Sequence, residues 1–329
     1  MTAPLAVALG DPAGIGPEIT AKAWERRVAD RLAPFFAVGA PEALRAVWGG
    51  PLQVVAGPDE AAACFQYALP VIRIDAAGET RPGHPTLEGA RNALDALELA
   101  VGLTRSGASS AIVTGPVSKA QLYAIGFTHP GQTEFVAERC GIAADMVAMM
   151  LAGPTLRTVP VTTHVALRDV PGLLTAELIV QRGRTTIRAL RRLFGIERPR
   201  LAVAGLNPHA GEGGSLGREE IDLVIPAIDR LREEEAEVSG PHAADTLFHA
   251  RMRSTYDAAL CLYHDQALVP LKTLHFDEGV NITLGLPIVR TSPDHGTAFD
   301  IAGQSRAEPT AMLAALKMAA ACAGRMAAA

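Results

Sequence analysis

The strongest constraint on the fold of this chain is the regular alternation of short apolar runs with longer amphipathic stretches. The runs are rich in β-branched residues and end in glycine, proline or a polar cluster, as strands do. We predict strands at Leu5–Leu9, Phe35–Val38, Val71–Ile74, Ala111–Thr114, Arg157–Thr162, Leu201–Ala204, Ala258–Tyr263 and Ile282–Leu284. We predict helices at Pro17–Arg27, Leu87–Thr104, Glu134–Arg139, Ala176–Phe194 and Arg218–Glu234. This alternation favours an α/β fold with a largely parallel sheet.

Length and charge exclude several classes of protein. At roughly 100–200 residues per domain, 329 residues predict about two domains. The net charge of −5 disfavours a general nucleic-acid binder, which usually carries a basic surface. We expect no association with a membrane, because no apolar run approaches the ~20 residues of a spanning helix. The first residues lack the basic n-region of a secretory signal, so we expect a cytoplasmic protein. The four cysteines form no C-x-x-C pair, and we expect them to be reduced thiols.

Three predicted strands are each followed by a histidine, namely His164, His209 and His264. Ligands of open α/β sheets bind at the carboxyl ends of the strands, so these side chains could share a site there. Three imidazoles with an open coordination position are typical of catalytic sites for Zn, Co, Ni or Fe. Glu212 and Asp265 are further candidate ligands or acceptors. The alternative, three separate hydrogen-bonded structural histidines, stays open.

Two glycine-rich segments follow predicted strands. Gly10–Glu18 is either a tight strand-to-helix turn or a helix N-terminus for an anion. It is no Rossmann fingerprint, because Ile19 occupies the third glycine position, and it lacks the Gly-Lys-Ser/Thr of a phosphate loop. Asn207–Gly217 has four glycines in seven residues, which favours a loop that cradles an anion or substrate.

Lys272, Asn281 and Arg290 interrupt the apolar region after His264. Such residues are either solvated strand ends or, beside a metal, a clamp for phosphate or carboxylate. Lys119 is a further candidate of the same type. The residues by themselves thus indicate a cytoplasmic α/β protein with a divalent-metal site and an anionic substrate, and they do not select the reaction.

Nine motifs, in order along almost the whole chain, resemble the 4-hydroxythreonine-4-phosphate dehydrogenase family, NAD-dependent enzymes of vitamin B6 biosynthesis. They are GDPAGIGPE (10–18), TGPVSK (114–119), GQTEF (131–135), TTH (162–164), GLNPHAGEGG (205–214), GP-x-x-ADTLF (240–248), YHDQ (263–266), VNITLGLP-x-VRTS (280–292) and DHGTAFDIAG (294–303). The resemblance implies an isocitrate/isopropylmalate dehydrogenase-like fold, two α/β domains with a central cleft. Residues 1–127 with 288–329 would form the discontinuous NAD-side domain. Residues 128–287 would form the inserted domain for dimerisation and the metal.

The resemblance also implies the site residues, by position in these motifs. The metal ligands are His164, His209 and His264, for one divalent ion (Zn, Co or Mg). The substrate-binding residues are Gln132, Thr133, Lys272, Asn281 and Arg290. The residues for NAD, or NADP, are Asp294, His295, Gly296, Ala298 and Asp300. The family is a homodimer whose active site is shared between subunits. We expect Asp245 or Lys272 to transfer the proton, with a helix N-cap as the alternative role of Asp245.

The implied reaction oxidises 4-phosphooxy-L-threonine to 2-amino-3-oxo-4-phosphooxybutanoate, which decarboxylates to 3-amino-2-oxopropyl phosphate, in pyridoxine 5′-phosphate biosynthesis. Gln132 departs from the family, which commonly has histidine there. Glutamine cannot carry a titrating proton, so other substrates stay open, such as erythronate or threonate 4-phosphate. Two further alternatives are a three-histidine metallohydrolase, which leaves DHGTAFDIAG unexplained, and a non-catalytic binding module.

Overall fold

The computed structural model describes residues 3–75, 80–234 and 237–328. The chain divides into two compact units: Met1–Gly141 with Leu286–Ala328, and Ile142–Gly285. The boundaries predicted from the sequence were 127/128 and 287/288, so Gln132 and Thr133 lie in the first unit and not in the second. Residues 1, 2 and 329, at the ends of the predicted first domain, lie outside this description. What each unit binds or pairs with stays a prediction.

The described residues form twelve strands and thirteen α-helices. The strands are β1 (Leu5–Ala8), β2 (Phe35–Gly39), β3 (Leu52–Val55), β4 (Leu69–Arg73), β5 (Ile112–Thr114), β6 (Ala148–Ala152), β7 (Arg157–Pro160), β8 (Arg200–Ala204), β9 (Glu237–His242), β10 (Ala258–Cys261), β11 (Val280–Leu284) and β12 (Arg290–Pro293). The helices are α1 (Gly16–Glu25), α2 (Pro41–Val47), α3 (Pro58–Cys64), α4 (Leu87–Arg105), α5 (Lys119–Ala124), α6 (Gln132–Arg139), α7 (Val170–Leu173), α8 (Ala176–Phe194), α9 (Ile225–Glu233), α10 (Ala244–Leu247), α11 (Ala250–Arg253), α12 (His264–His275) and α13 (Thr310–Ala328).

The first unit is built on a parallel sheet with the order β3-β4-β2-β1-β5-β12. Its central strands β1, β2 and β5 are buried along their whole length, which explains why they read as uninterrupted apolar runs. Helix α4 packs on β1 and β2, and α13 packs on β12. The carboxyl ends of β1, β5 and β12 meet at one edge of this sheet.

Helix α13 is 19 residues long and apolar enough to cross a membrane by length and composition alone. The sequence prediction that no stretch of the chain approaches such a span is wrong on these two criteria. A single helix of this kind does not establish a span, because the core helix of a folded unit meets the same criteria. In α13, Met312, Leu316 and Cys322 are buried, and Ala315 O accepts a hydrogen bond of 3.0 Å from Thr291 Oγ1 of β12.

The second unit has a mixed sheet with the order β11-β6-β7-β10-β8-β9. Strand β6 runs antiparallel to both β11 and β7, whereas β7, β10, β8 and β9 are mutually parallel. The predicted α/β class is therefore confirmed, with two antiparallel pairings that the sequence did not indicate. The helix predicted at Arg218–Glu234 is a π-helical turn, Glu220–Val224, followed by α9, and Pro226 lies in the first turn of α9.

Candidate active site: a histidine edge and a buried arginine

Histidines follow three adjacent parallel strands of the second unit. In the order β7-β10-β8, His164 comes after the first strand, His264 after the second and His209 after the third. Beyond the strands the backbone pairing continues, because Val161 N donates to Cys261 O (2.7 Å). We call the region formed by these three histidines the histidine edge. The strand order makes the three strand ends neighbours, and the common metal site at these histidines stays a prediction.

Two of the three imidazoles are neighbours. The ring centroids of His164 and His264 lie 5.5 Å apart, and His264 Nδ1 lies 2.7 Å from Asp265 Oδ1. Within residues 3–75, 80–234 and 237–328 of one chain, no three His, Cys, Asp or Glu side chains lie close enough together to hold a metal ion. The pair fits two ligands of a divalent-metal site, and the described part of one chain does not supply a third side chain close enough to form a group of three with them.

The backbone at the histidine edge adopts a conformation that few residues tolerate. His164 has a φ of 50° and His209 a φ of 51°, both in the left-handed region. All five residues from His209 to Gly213 have left-handed φ angles, and Ala210 and Glu212 are the other two non-glycine residues among them. Each non-glycine residue there costs roughly 1–2 kcal/mol. Strain of this kind concentrates at functional sites, where surrounding contacts enforce it.

A buried carboxylate holds the segment before His209. Glu220 is 1% exposed, and its Oε1 accepts a hydrogen bond from Asn207 N (2.7 Å). Asn207 Nδ2 donates to Glu220 Oε2 (2.9 Å) and to Glu219 Oε2 (2.7 Å). A Cβ on Gly211 would come within 2.6 Å of Glu220 Oε2, so this position requires glycine. Two carboxylates disfavour an anion in this loop, and its geometry instead fixes the position of His209.

Gln266 connects the strand ends that carry His264 and His209, and sequence reasoning missed it. Its side chain is 6% exposed. Oε1 accepts a hydrogen bond from Leu262 N and Nε2 donates to Gly205 O, both at 2.7 Å. The amide therefore satisfies one backbone group beyond β10 and one beyond β8. Its place in the YHDQ motif, two residues after His264, was the available signal.

The other predicted residues of the second unit lie on separate elements. Asp245 is exposed in the first turn of α10, whose N-cap is Ala243, so its alternative role as the N-cap is wrong. Lys272 is half-buried on α12 with Nζ 5.7 Å from the centroid of the Phe276 ring. Asn281 lies on β11, and its buried Oδ1 accepts no hydrogen bond from any described residue. A ligand with an N–H or O–H group would satisfy that oxygen.

In the first unit, Arg290 is buried in a polar cluster at the sheet edge. It opens β12 beside Ile112 of β5 and is 5% exposed. Nη2 donates to Thr114 Oγ1 (2.7 Å) and to Gln132 Oε1 (3.2 Å), and Nη1 donates to Thr133 Oγ1 (3.4 Å). Gln132 Nε2 donates in turn to Gly115 O (3.1 Å). The structure thus brings together three of the predicted substrate-binding residues, at the end of β5 and the start of α6.

Burial changes the electrostatics of this cluster. It lowers the pKa of Arg290 to about 10, against the opposing effect of the nearby Glu134 carboxylate. The guanidinium is therefore still charged at neutral pH. A buried cation with a planar fork of donors suits a phosphate or carboxylate.

The glycine-rich segment after β1 is a structural turn. A Cβ on Gly16 would lie 2.0 Å from Leu9 O, and one on Gly10 would lie 2.3 Å from Pro116 O. The amides of the turn are used within the protein, since Ala13 N donates to Asp11 Oδ1 and Ile15 N to Thr297 O, both at 3.0 Å. Burial raises the pKa of Asp11. Of the two roles left open, the turn is favoured over an anion site.

This turn supports the loop predicted to bind the dinucleotide. Beside the bond from Ile15, a Cβ on Gly14 would lie 3.0 Å from Thr297 O. Ala298 has a left-handed φ of 43°, and a Cβ on Gly296 would meet nothing within 4 Å. The five predicted residues, Asp294, His295, Gly296, Ala298 and Asp300, therefore lie on one loop held against α1, with open space at Gly296. That arrangement fits a flat ligand lying against backbone.

Comparison with known proteins gives consistent results. The model of the family "Pyridoxal phosphate biosynthetic protein PdxA" matches residues 32–319. The chain is 59% identical over 317 residues to the 4-hydroxythreonine-4-phosphate dehydrogenase of Zymomonas mobilis, covering 96% of this chain and 95% of the relative. It is 56% identical to that of Erythrobacter litoralis, covering 98% of each.

Solved structures show the same likeness. The crystal structure of 4-hydroxythreonine-4-phosphate dehydrogenase from Klebsiella pneumoniae is 37% identical with a TM-score of 0.88, covering 98% of this chain and 99% of that one. A terephthalate 1,2-cis-dihydrodiol dehydrogenase from Burkholderia xenovorans is 29% identical with a TM-score of 0.66, covering 98% of each chain. The family resemblance inferred from the sequence is confirmed, and so is the α/β class. The central cleft stays a prediction.

Proposed function

Because the chain belongs to the PdxA family of pyridoxal phosphate biosynthetic proteins, we propose that it is a metal-dependent dehydrogenase that oxidises 4-phosphooxy-L-threonine with NAD. Named dehydrogenase relatives over nearly the full length support an oxidoreductase acting on a CH–OH group. The single observation of the geometry that supports the metal-dependent part is the histidine edge, with His164 and His264 as neighbours. The activity places the protein in pyridoxine phosphate biosynthesis, and we propose a cytoplasmic location.

In the proposed reaction, the C3 hydroxyl of the substrate loses its proton and C3 loses a hydride to NAD. The products are NADH and 2-amino-3-oxo-4-phosphooxybutanoate. This β-keto acid then loses CO₂, and C2 takes up a proton to give 3-amino-2-oxopropyl phosphate. The loss of CO₂ makes the oxidation effectively irreversible. A divalent ion, when bound, acts as a Lewis acid that lowers the pKa of a bound hydroxyl group.

Each group of residues has a role in this proposal. His164, His209 and His264 hold the metal, with the set completed in a homodimer whose subunits share the site. Gln132, Thr133, Lys272, Asn281 and Arg290 bind the substrate. Asp245 or Lys272 transfers the proton. The Asp294–Asp300 loop binds NAD, or NADP. Imidazole ligands favour Zn or Co over Mg, the third candidate, because Mg prefers oxygen ligands.

The assay that tests the proposal follows NADH absorbance with a divalent metal, NAD and 4-phosphooxy-L-threonine. Parallel reactions contain erythronate 4-phosphate and threonate 4-phosphate, the substrates of the alternative dehydrogenase. We expect NADH with the phosphorylated threonine and a kcat/KM higher than with either sugar acid. A metallohydrolase or a binding module would give no NADH with any of them, and a preference for a sugar acid would reassign the substrate.

Gln132→His tests the departure of this chain from its family. Arg290 Nη2 lies 3.2 Å from Gln132 Oε1, so a new imidazole would sit beside a buried cation and near the anionic substrate. Its protonation below pH ~6.5 would add positive charge there, so KM for the phosphorylated substrate should fall as the pH falls. The wild-type KM should lack this ionisation. Superimposable pH profiles of KM between pH ~5.5 and ~8 would show that the side chain at this position does not contact the anion.

A further inference from the structure

We infer that Glu18 and Lys22 of helix α1 form a clamp on the segment that follows Asp294–Asp300, which we call the dinucleotide loop. The clamp sets the position of this loop and thereby the affinity for NAD. The inference rests on the proposed function, which assigns the Asp294–Asp300 loop to NAD. Neither side chain is placed among the residues that touch the cofactor, so both are positioning residues.

The Glu18 carboxylate bonds to two backbone amides far away in the sequence. It is 2% exposed, on the buried face of α1. Oε2 accepts a hydrogen bond from Gly303 N (3.3 Å) and Oε1 accepts one from Ala307 N (3.1 Å). A carboxylate is seldom buried unless it is paired or strongly hydrogen-bonded. Here both carboxylate oxygens accept hydrogen bonds from the segment that follows the dinucleotide loop.

Lys22 completes the clamp one helical turn later. Its Nζ donates to Glu18 Oε1 (2.8 Å), to Ser305 O (3.0 Å) and to Ala307 O (2.7 Å). Ser305 has a left-handed φ of 60°, a conformation that needs support from its surroundings in a non-glycine residue. The ion pair thus fixes both the amide and the carbonyl of Ala307.

The other end of the same segment is also held by α1. Ile15, the N-cap of the helix, donates its backbone N–H to Thr297 O (3.0 Å). Helix α1 therefore contacts the chain at Thr297 and again at Gly303–Ala307. The residues between these contacts include Ala298 and Asp300, two of the proposed NAD ligands. Displacement of one anchor would move them relative to the rest of the loop.

The test uses Glu18→Gln and Lys22→Met in the full chain. We expect the dissociation constant and KM for NAD to rise about tenfold or more, because small misplacements of binding groups are costly. The value of kcat and the KM of the phosphorylated substrate should stay within about twofold. Lys22→Arg should restore most of the affinity, since it keeps the cation. The matched control is Asp222→Asn, which breaks an exposed i,i+4 pair with Arg218 in the second unit and should change none of these values.

Hydrogen exchange measured without NAD supplies a second readout. The amides of Gly303 and Ala307 should exchange faster in Glu18→Gln than in wild type. If both amides keep their protection, or if NAD affinity is unchanged, the clamp is overturned. Equal loss of affinity for NAD and substrate would also overturn it, because that pattern indicates general destabilisation. If Glu18→Gln does not fold, the test is the comparison of NAD affinity between Lys22→Met and Lys22→Arg. Wild-type protein that binds no NAD would refute the proposed function and not the contacts of the clamp.

Discussion

Replacing His209 by alanine is expected to abolish NADH formation while leaving the fold intact. The proposal makes His209 one of three metal ligands. A bound metal ion lowers the activation free energy of such reactions by several kcal/mol, and a loss of ~4 kcal/mol corresponds to about 10³-fold in rate. The side chain is exposed, and the loop is held through Asn207 and Glu220. Truncation at Cβ should therefore leave the left-handed turn in place. The measurements are kcat with saturating metal, bound metal per chain, and the thermal midpoint.

His249→Asn is the matched control for this variant. His249 is also exposed in the second unit, but it caps α11 by accepting a hydrogen bond from Met252 N (3.4 Å). Asparagine is an effective N-cap, so this variant should keep both stability and activity. Near-wild-type turnover of His209→Ala, with metal content unchanged, would refute metal ligation at that position.

Replacing Arg290 by alanine is expected to raise KM chiefly for the phosphorylated substrate. Loss of a buried, hydrogen-bonded charge from a binding site typically costs about 2–5 kcal/mol, which corresponds to roughly 30-fold to several thousand-fold in kcat/KM. The dephosphorylated substrate, 4-hydroxythreonine, lacks the group that the guanidinium is proposed to bind. Its poor kcat/KM should therefore change much less, and KM for NAD should stay near the wild-type value.

Arg290→Lys separates charge from geometry. Lysine keeps the positive charge, but its three donors diverge from a single nitrogen and cannot reproduce the planar fork with which the guanidinium bonds to Thr114 and Gln132. We expect an intermediate KM. Equal loss of affinity for NAD and for the phosphorylated substrate in Arg290→Ala would point to a different role for this residue, as would equal losses with and without the phosphate.

Elements with a strong local pattern could be predicted from the sequence. Helix α8 was predicted with its observed bounds. Its apolar positions repeat at helical spacing, Thr175 Oγ1 caps it by accepting from Leu178 N (3.1 Å), and Gly195 ends it with a φ of 67°. The buried parallel strands were equally visible as β-branched runs.

Elements that depend on tertiary contacts were missed. Strand β12 has the polar sequence RTSP, and it is buried because β5 and α13 cover it. Strand β6 lacks β-branched residues, and one of its two antiparallel partners, β11, is far away in the sequence. Helix α12 begins at His264, shortly after β10 ends at Cys261. It contains Pro270, and a proline inside a segment argues against a helix when only the local sequence is considered.

The same division holds in the candidate site. The histidines could be identified because each one follows an apolar run, a pattern visible in sequence. Gln266 and Glu220 could not, because their partners are groups 61 and 13 residues away, and burial of an isolated polar residue leaves no periodic signal. In the polar cluster of the first unit, Arg290 likewise bonds to Gln132, which is 158 positions away in the sequence. Only the motif resemblance had connected them.

The central claim is that a divalent ion at the histidine edge is required for NADH formation, and removal of the ion tests it most directly. The protein is stripped with a chelator until metal analysis finds none, and NADH formation from 4-phosphooxy-L-threonine is then followed before and after Zn, Co or Mg is added back. We expect the stripped enzyme to fall to background and the added metal to restore the rate. In the His209→Ala variant, added metal should restore nothing. Full catalytic speed in the metal-free wild type would contradict the account.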